Sequence, residues 1–388
     1  MTDHQKVLIL DFGSQYTQLI ARRIRELNVY CRVVPHSITA AEIEASGAEA
    51  LIFTGGPASV YQENAPSIAP DILKLGIPTL GICYGLQITS HVLDGKVDAA
   101  ERREYGHTML YIKDHSDFFA GIPCDIRVWM SHGDRIVRLP SGFEVLAESE
   151  ATPFAAVRGI DGRYFGLQFH PEVAHTEYGR EVFHNFLYGI CGFRGDWQVG
   201  SFINEQVAAI REQVGDAGVV CGLSGGIDSA VAALLVHKAV GDNLTCIFVD
   251  NGLLRLNEAE QVVGTFKGRF GLKLLHMDAR ERFMRELKGV VEPEAKRKII
   301  GREFIRVFED AARGIRDARF LAQGTLYPDV IESVAAHGGP TQTIKSHHNV
   351  GGLPESLGFK LVEPLRWLFK DEVRKLSLIH ISEPTRPY

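Results

Sequence analysis

Short apolar runs punctuated by glycine, proline and aspartate recur along the 388 residues. Val7 to Leu10, Ala50 to Phe53, Thr79 to Ile82, Val219 to Leu223 and Leu244 to Val249 are short and almost uniformly apolar, which predicts strands buried on both faces. Between several of them the chain takes up helical spacing. Helix starts are signalled at Thr39-x-x-Glu42, Asn257-x-x-Glu260 and Asp278-x-x-Glu281, where a short polar side chain caps the first turn and an acid three residues on answers it. Strand alternating with helix predicts an α/β protein with mainly parallel sheets flanked by helices. The stretch from Glu294 to Phe308 sets Ile300, Phe304, Val307 and Phe308 at helical spacing, the pattern of a packed amphipathic helix. Arg297 on its basic face is a candidate nucleotide contact.

The rhythm breaks at Cys191 to Gln198, CGFRGDWQ, where glycines and charges mark a linker. A boundary near Asp196 gives a first domain over 1–195 and a second from 196, in keeping with about 150 residues per domain. Hydrophobic residues at 45% and charged residues at 23% are those of an ordinary globular chain. A net charge of -6 offers no broad basic field, which argues against nucleic acid or an anionic membrane as partner. The apolar run before Asp11 is too short for a signal peptide, and no run is long enough to span a bilayer, so a cytoplasmic protein is expected. The six cysteines include no Cys-x-x-Cys pair, which disfavours a disulfide framework or a zinc site.

One cysteine has a neighbourhood that asks for chemistry. Ile77-Pro-Thr-Leu-Gly-Ile-Cys83-Tyr-Gly85 sets Cys83 after a short strand, between small residues and before a helix-like stretch from Leu86 to Leu93. That is a nucleophile elbow, in which a tight turn presents a side chain at a helix N-terminus that favours thiolate. In Phe169-His170-Pro171-Glu172 the acid stands two positions from the histidine, on the same side of an extended chain. Glu172 can therefore hold the His170 ring while His170 serves Cys83 as base. Phe53-Thr-Gly-Gly-Pro57 offers bare backbone donors, so Gly56 N–H and Tyr84 N–H are the expected oxyanion hole.

A second constellation runs Leu223-Ser224-Gly225-Gly226-Ile227-Asp228-Ser229-Ala230, from an apolar strand into a helix-like stretch. Glycines let backbone N–H groups converge on phosphate oxygens at a helix N-terminus, and the serines add hydroxyl donors. There is no Gly-Lys-Ser/Thr of a Walker loop, and Asp228 inside the loop points to magnesium recruitment or to loop bracing. The next strand ends in Val249-Asp250, where an edge carboxylate meets ribose or adenine in an open α/β sheet. Lys345, His347 and His348 suit neutralising phosphates as a loop closes.

Through Gly81-x-Cys83-x-Gly85, Phe53 to Pro57 and Phe169 to Glu172, residues 6–195 resemble the class I glutamine amidotransferases. That resemblance implies a flavodoxin-like fold, ammonia as product, and glutamine held by Gln87, Ser131, Gly133 and Asp134. Ser-Gly-Gly-Ile-Asp-Ser resembles the ATP pyrophosphatases, which implies an adenine nucleotide α-hydrolase-like fold over 196–376. Gln323 to Ser333, Ile344 to Asn349 and Pro364 to Glu372 are similar to the GMP synthetase family. This implies ATP and XMP as substrates beside glutamine, Mg2+ bridging phosphates, and a homodimer. It also implies Gly324 in the ATP site, Lys370 on the phosphates, and Asp329, Glu332, Lys345 and His347 in a lid.

The resemblance runs to about Leu376. Residues 377–388 match nothing in the family and carry two prolines, so a disordered tail is expected. The family's C-terminal dimerisation domain, which completes the XMP site, is expected to be absent. Two other readings stand beside synthesis of GMP: a fragment that only binds glutamine or ATP, and another amidotransferase-fed adenylating enzyme, such as an NAD synthetase or a tRNA-thiolating enzyme. The last would want a basic RNA face or paired catalytic cysteines, and neither is visible.

Overall fold

Strands β1 (Lys6–Asp11), β2 (Tyr30–Pro35), β3 (Ala50–Phe53), β4 (Thr79–Ile82), β5 (Lys96–Ile112), β6 (Asp125–Arg138), β7 (Glu144–Glu148), β8 (Ala156–Gly159) and β9 (Tyr164–Leu167) form one sheet. Its order is β2-β1-β3-β4-β9-β8-β7-β5-β6. The computed structural model describes residues 4–159, 161–315, 317–335 and 358–380, and the chain divides into two units, Met1–Gln198 and Val199–Tyr388. Within the first, β2 through β9 of the sheet order run parallel, and β8, β7, β5 and β6 add antiparallel strands. The sheet is thus mixed rather than mainly parallel. The reason lies in β6, where buried Ile126, Val128, Met130 and His132 alternate with more exposed neighbours; an antiparallel ribbon tolerates one wet face, whereas parallel strands are covered on both.

Helices α1 (Thr17–Glu26), α2 (Ala40–Ser46), α3 (Tyr84–Val92) and α4 (Gly179–His184) belong to this unit. Ile43 of α2 and Leu86 and Ile88 of α3 share a core with Leu8, Leu10, Leu51 and Phe53 of the sheet. The start of α2 is the expected capping box, with Thr39 and Glu42 bonding each other's backbone.

The second unit carries β10 (Gly218–Leu223), β11 (Leu244–Asp250), β12 (Leu274–Asp278), β13 (Ala318–Ala322) and β14 (Lys360–Val362). They form an all-parallel sheet of order β12-β11-β10-β13-β14. Its helices are α5 (Val199–Val214), α6 (Ile227–Val240), α7 (Glu258–Val263), α8 (Arg280–Leu287), α9 (Pro293–Arg313), α10 (Tyr327–Ala335) and α11 (Lys370–His380). One face of the sheet buries Val219, Cys221 and Leu223 against α5, α6 and α7. The other buries Val220, Ile247 and Val249 against Phe283 of α8 and Val307 and Phe308 of α9. Helices on both faces of a parallel sheet make the doubly wound arrangement, and its strand order reverses between β10 and β13, where such sheets open a crevice for ligands.

Three expectations are corrected. Asn257 precedes α7 in a left-handed conformation with no side-chain cap, and Arg255 N–H bonds Glu258 instead. Asp278 lies one residue before the N-cap of α8 and pairs with Arg280. Residues 377–380 are not disordered but complete α11, with Ser377 buried; residues 381–388 lie outside the described residues.

Candidate active sites

Cys83 follows β4 with φ 51° and ψ −104° and is the N-cap of α3. A positive φ is costly for a residue with a Cβ, and its surroundings enforce it. Cys83 N–H donates to Leu167 O at 2.6 Å. A Cβ on Gly81 would fall 2.1 Å from the Tyr164 hydroxyl oxygen and 2.9 Å from Gly85, and one on Gly85 would fall 2.4 Å from Phe53 O. The two small flanking residues are therefore required by packing, as an elbow demands.

His170 stands just beyond β9, with Nδ1 2.7 Å from Glu172 Oε1. Its backbone is fixed as well: its N–H donates to Trp129 O, and its carbonyl accepts from Thr176 Oγ1 at 2.6 Å. The Tyr16 ring meets the imidazole edge to face at 5.2 Å. Burial opposes charge on His170, but the Glu172 carboxylate, and a hydrogen bond and charge interaction with Cys83, hold its pKa well above the usual imidazole range. The structure brings Cys83, His170 and Glu172 together, and all three are nearly shut from solvent.

The backbone around the sulfur is less as expected. Gly56 is packed under Phe12, where an added Cβ would lie 2.7 Å from its carbonyl. Gly55 is the glycine that borders the reactive atoms: a Cβ there would lie 3.3 Å from His170 Cε1 and 3.7 Å from Cys83 Cβ. Tyr84 opens α3, so its N–H has no partner within its own helix. Of the glutamine candidates, Ser131 offers its carbonyl 3.8 Å from Cys83 Sγ. Gln87 is buried; its amide donates to Asp134 O at 2.8 Å and Gln168 Oε1 at 3.3 Å, so it braces the wall that carries Gly133 and Asp134. Gln168, which sequence reasoning passed over, places Nε2 3.7 Å from Cys83 Sγ.

In the second unit the loop between β10 and α6 turns at Gly225, φ 71°. The Ser224 and Ser229 hydroxyls lie 3.0 Å apart, Ser224 N–H donates to Ser229 Oγ, and Gly226 N–H donates to Ser224 Oγ. Ile227 and Asp228 enter the first turn of α6, and Ala230 is already core. Gly324, after β13, lets that chain approach: a Cβ there would lie 3.3 Å from the Asp228 carbonyl. The loop and Gly324 thus meet at the switch point of the sheet. Asp228 pairs with Lys370, the first residue of α11. Its other oxygen, Oδ1, is buried with no hydrogen-bond partner among the described residues.

The remaining candidates are placed differently. The Val249 side chain is in the core, which leaves only its backbone for a ligand. Asp250 Oδ1 accepts from Gly252 N–H at 2.9 Å, and Oδ2 lies 3.8 Å from Arg280. Asp329 Oδ2 takes the Leu326 N–H at 2.9 Å at the start of α10, which also carries exposed Glu332. Arg297 pairs along α9 with Glu294. Lys345 and His347 lie outside the described residues. Among those described, no three His, Cys, Asp or Glu residues are grouped to hold a metal.

The class-I glutamine amidotransferase family profile matches residues 8–190, and the NAD synthase profile matches 199–282. A GMP synthase (glutamine-hydrolyzing) of Carboxydothermus hydrogenoformans is 57% identical over 373 residues, covering 96% of this chain and 73% of that protein. One of Heliobacterium modesticaldum is 54% identical over 374 residues, covering 96% of this chain and 72% of that protein. A solved glutamine amidotransferase of Thermotoga maritima, 24% identical with a TM-score of 0.37, covers 48% of this chain and 83% of that one.

Proposed function

From the chain's membership of the family of glutamine-hydrolysing GMP synthases, we propose that its two sites divide the work of that reaction. The chain is a carbon–nitrogen ligase that makes GMP from XMP, ATP and glutamine. Its relatives favour this over a binding-only fragment or another adenylating enzyme. The division assigns 1–195 to glutamine hydrolysis and 196–376 to ATP chemistry.

At the first site the Cys83 thiolate attacks the glutamine carboxamide carbon. The oxyanion is met by backbone N–H groups, those of Tyr84 and the Gly55-Gly56 turn. Imidazolium His170 gives its proton to the nitrogen as the C–N bond breaks, and ammonia leaves a thioester. Neutral His170 then takes a proton from water, which attacks the thioester carbon and releases glutamate and the thiolate. Glu172 keeps the proton of Nδ1 in place, so that the other ring nitrogen serves the reaction. Gln87, Ser131, Gly133 and Asp134 form the wall on which glutamine rests.

At the second site the loop from Ser224 to Ala230 receives the ATP phosphates, with Lys370 as a further cation and the end of β11 beside the nucleoside. The XMP carbonyl oxygen attacks the α-phosphorus, pyrophosphate leaves, and ammonia displaces AMP at the activated carbon. Asp228 suits Mg2+, since its buried Oδ1 has no partner among the described residues and magnesium is commonly held by one or two carboxylates together with phosphates. When bound, the ion would neutralise phosphate charge.

The proposal extends to a cytoplasmic location and, for the full-length family, to a homodimer. All six cysteines are unpaired, which suits a reducing compartment, and among the described residues no helix is long and apolar enough to cross a membrane. Dimerisation rests on the family resemblance, and sedimentation would test it. The observation that carries the function is Cys83 at positive φ beside the buried His170–Glu172 pair. Cys83→Ala should abolish GMP formation from glutamine and spare formation from ammonium. Equal loss of both would overturn the division.

A further inference from the structure

The register of β4 and β9, Gly81 with Gly166 and Ile82 with Leu167, sets Gln168 beside Cys83. Gln168 is fully buried, and each end of its carboxamide is spoken for. Nε2 lies 3.7 Å from Cys83 Sγ, and Oε1 lies 3.3 Å from Gln87 Nε2. The same Gln87 nitrogen lies 2.8 Å from Asp134 O. A primary amide has two N–H donors, so both of Gln87's are used, one on each oxygen. That fixes the Gln168 amide. Turned over, it would set its NH2 against that of Gln87 and its oxygen against the sulfur. Asp134 O also accepts from His132 Nδ1 at 3.0 Å, and His132 Nε2 lies 3.2 Å from Glu104 Oε2.

A thiolate buried here has lost most of its water and must find donors. Ser131 O, at 3.8 Å, accepts the S–H of a neutral thiol but repels a thiolate. We propose that Gln168 is a further residue of the glutaminase site, its amide N–H holding and aiming the Cys83 thiolate, with Gln87 dictating which end of that amide the sulfur meets. This rests on the reading of Cys83 as nucleophile. The charged and titratable groups around the sulfur are His170, backed by Glu172 and edged by Tyr16; His132, Asp134 and Glu104 behind Ser131; and Tyr84, whose hydroxyl is bound to Pro66 O. The Gln168 side chain bonds Gln87 and Cys83 rather than any of these groups.

The test is the rate at which Cys83 is alkylated by iodoacetamide as a function of pH, read on the Cys83 peptide by mass spectrometry, beside glutaminase kinetics of the 388-residue chain. Losing a donor to the charged form raises a thiol's pKa. Gln168→Leu should raise the alkylation midpoint by about one unit and lower kcat near neutral pH about tenfold, with the glutamine KM changed less than about twofold. Gln168→Glu should raise the midpoint further. Gln87→Leu should raise it less in the wild-type background and not at all in Gln168→Leu, the non-additivity of a shared path. If Gln168→Leu does not accumulate, Gln87→Leu alone decides, by a smaller rise that still exceeds about 0.3 unit. Midpoints within about 0.3 unit of wild type would overturn the inference, even with a lowered Tm. Glutamine hydrolysis surviving in Cys83→Ala would instead overturn the reading beneath it.

Discussion

His170 Nδ1 lies 2.7 Å from Glu172 Oε1, and the carboxylate is wholly buried. The second carboxylate oxygen, Oε2, has no hydrogen-bond partner among the described residues. A buried carboxylate so thinly bonded is balanced chiefly by charge on the imidazole.

Glu172→Gln removes that charge and keeps the shape. The His170 pKa, held well above 6.5 in the intact site, should fall, and glutaminase kcat should drop roughly 10²-fold. A histidine raised in the folded state adds stability that is complete below its unfolded value and is lost as pH climbs through the folded one. The Tm of the first unit should therefore decline as pH rises above 6.5, and in Glu172→Gln this slope should flatten. Imidazole NMR titration beside calorimetry measures both; an unmoved His170 titration would leave Glu172 a packing residue.

Two glycines should separate catalysis from folding. At Gly55 an alanine methyl group meets His170 Cε1 at 3.3 Å, so a shift of a few tenths of an ångström in the ring admits it. Gly55→Ala should keep its Tm and lose about tenfold or more in kcat, because misplaced groups react slowly. At Gly85 the methyl meets backbone, 2.4 Å from Phe53 O. Gly85→Ala should cost about 1–3 kcal/mol or more of stability. Denaturant melts with glutaminase assays distinguish the two, and matching losses would mean that Gly55 is structural as well.

The sequence made the buried strands plain because a strand covered on both faces is an unbroken apolar run. Ala50 to Phe53 and Thr79 to Ile82 coincide with β3 and β4. It hid β5, whose span from Lys96 to Ile112 is crowded with charges and gains strand character by pairing along β6 and, at its end, with β7. Cys83 stood out through its own neighbours, since small flanking residues are a local requirement. Gln168 did not: its meaning lies in the register of β9 against β4, and a glutamine in Leu-Gln-Phe-His looks the same whether or not a sulfur lies across from it. The missing side-chain cap at Asn257 and the helix start one residue past Asp278 have a similar cause, because a cap needs the right backbone angles as well as the right side chain.

Asp228 and Lys370 pair with each other in the second unit. Lys370 is 44% exposed, and ion pairs of that kind contribute about 0–1 kcal/mol, small enough for an incoming nucleotide to exchange the partners. Lys370 would turn to a phosphate and Asp228 to the metal. Asp228→Asn should slow pyrophosphate–ATP exchange measured with XMP about 10²-fold, with no rescue by added magnesium. Lys370→Ala should raise the KM for ATP about tenfold and also free Asp228, so that magnesium binds more tightly to the nucleotide-free protein. A mere brace between α6 and α11 predicts the reverse for that second readout, since loosening the loop would weaken every ligand. Glutaminase activity of the first unit serves as the control in both variants. Exchange at the wild-type rate in Asp228→Asn would leave that residue a support of its loop and move the metal elsewhere.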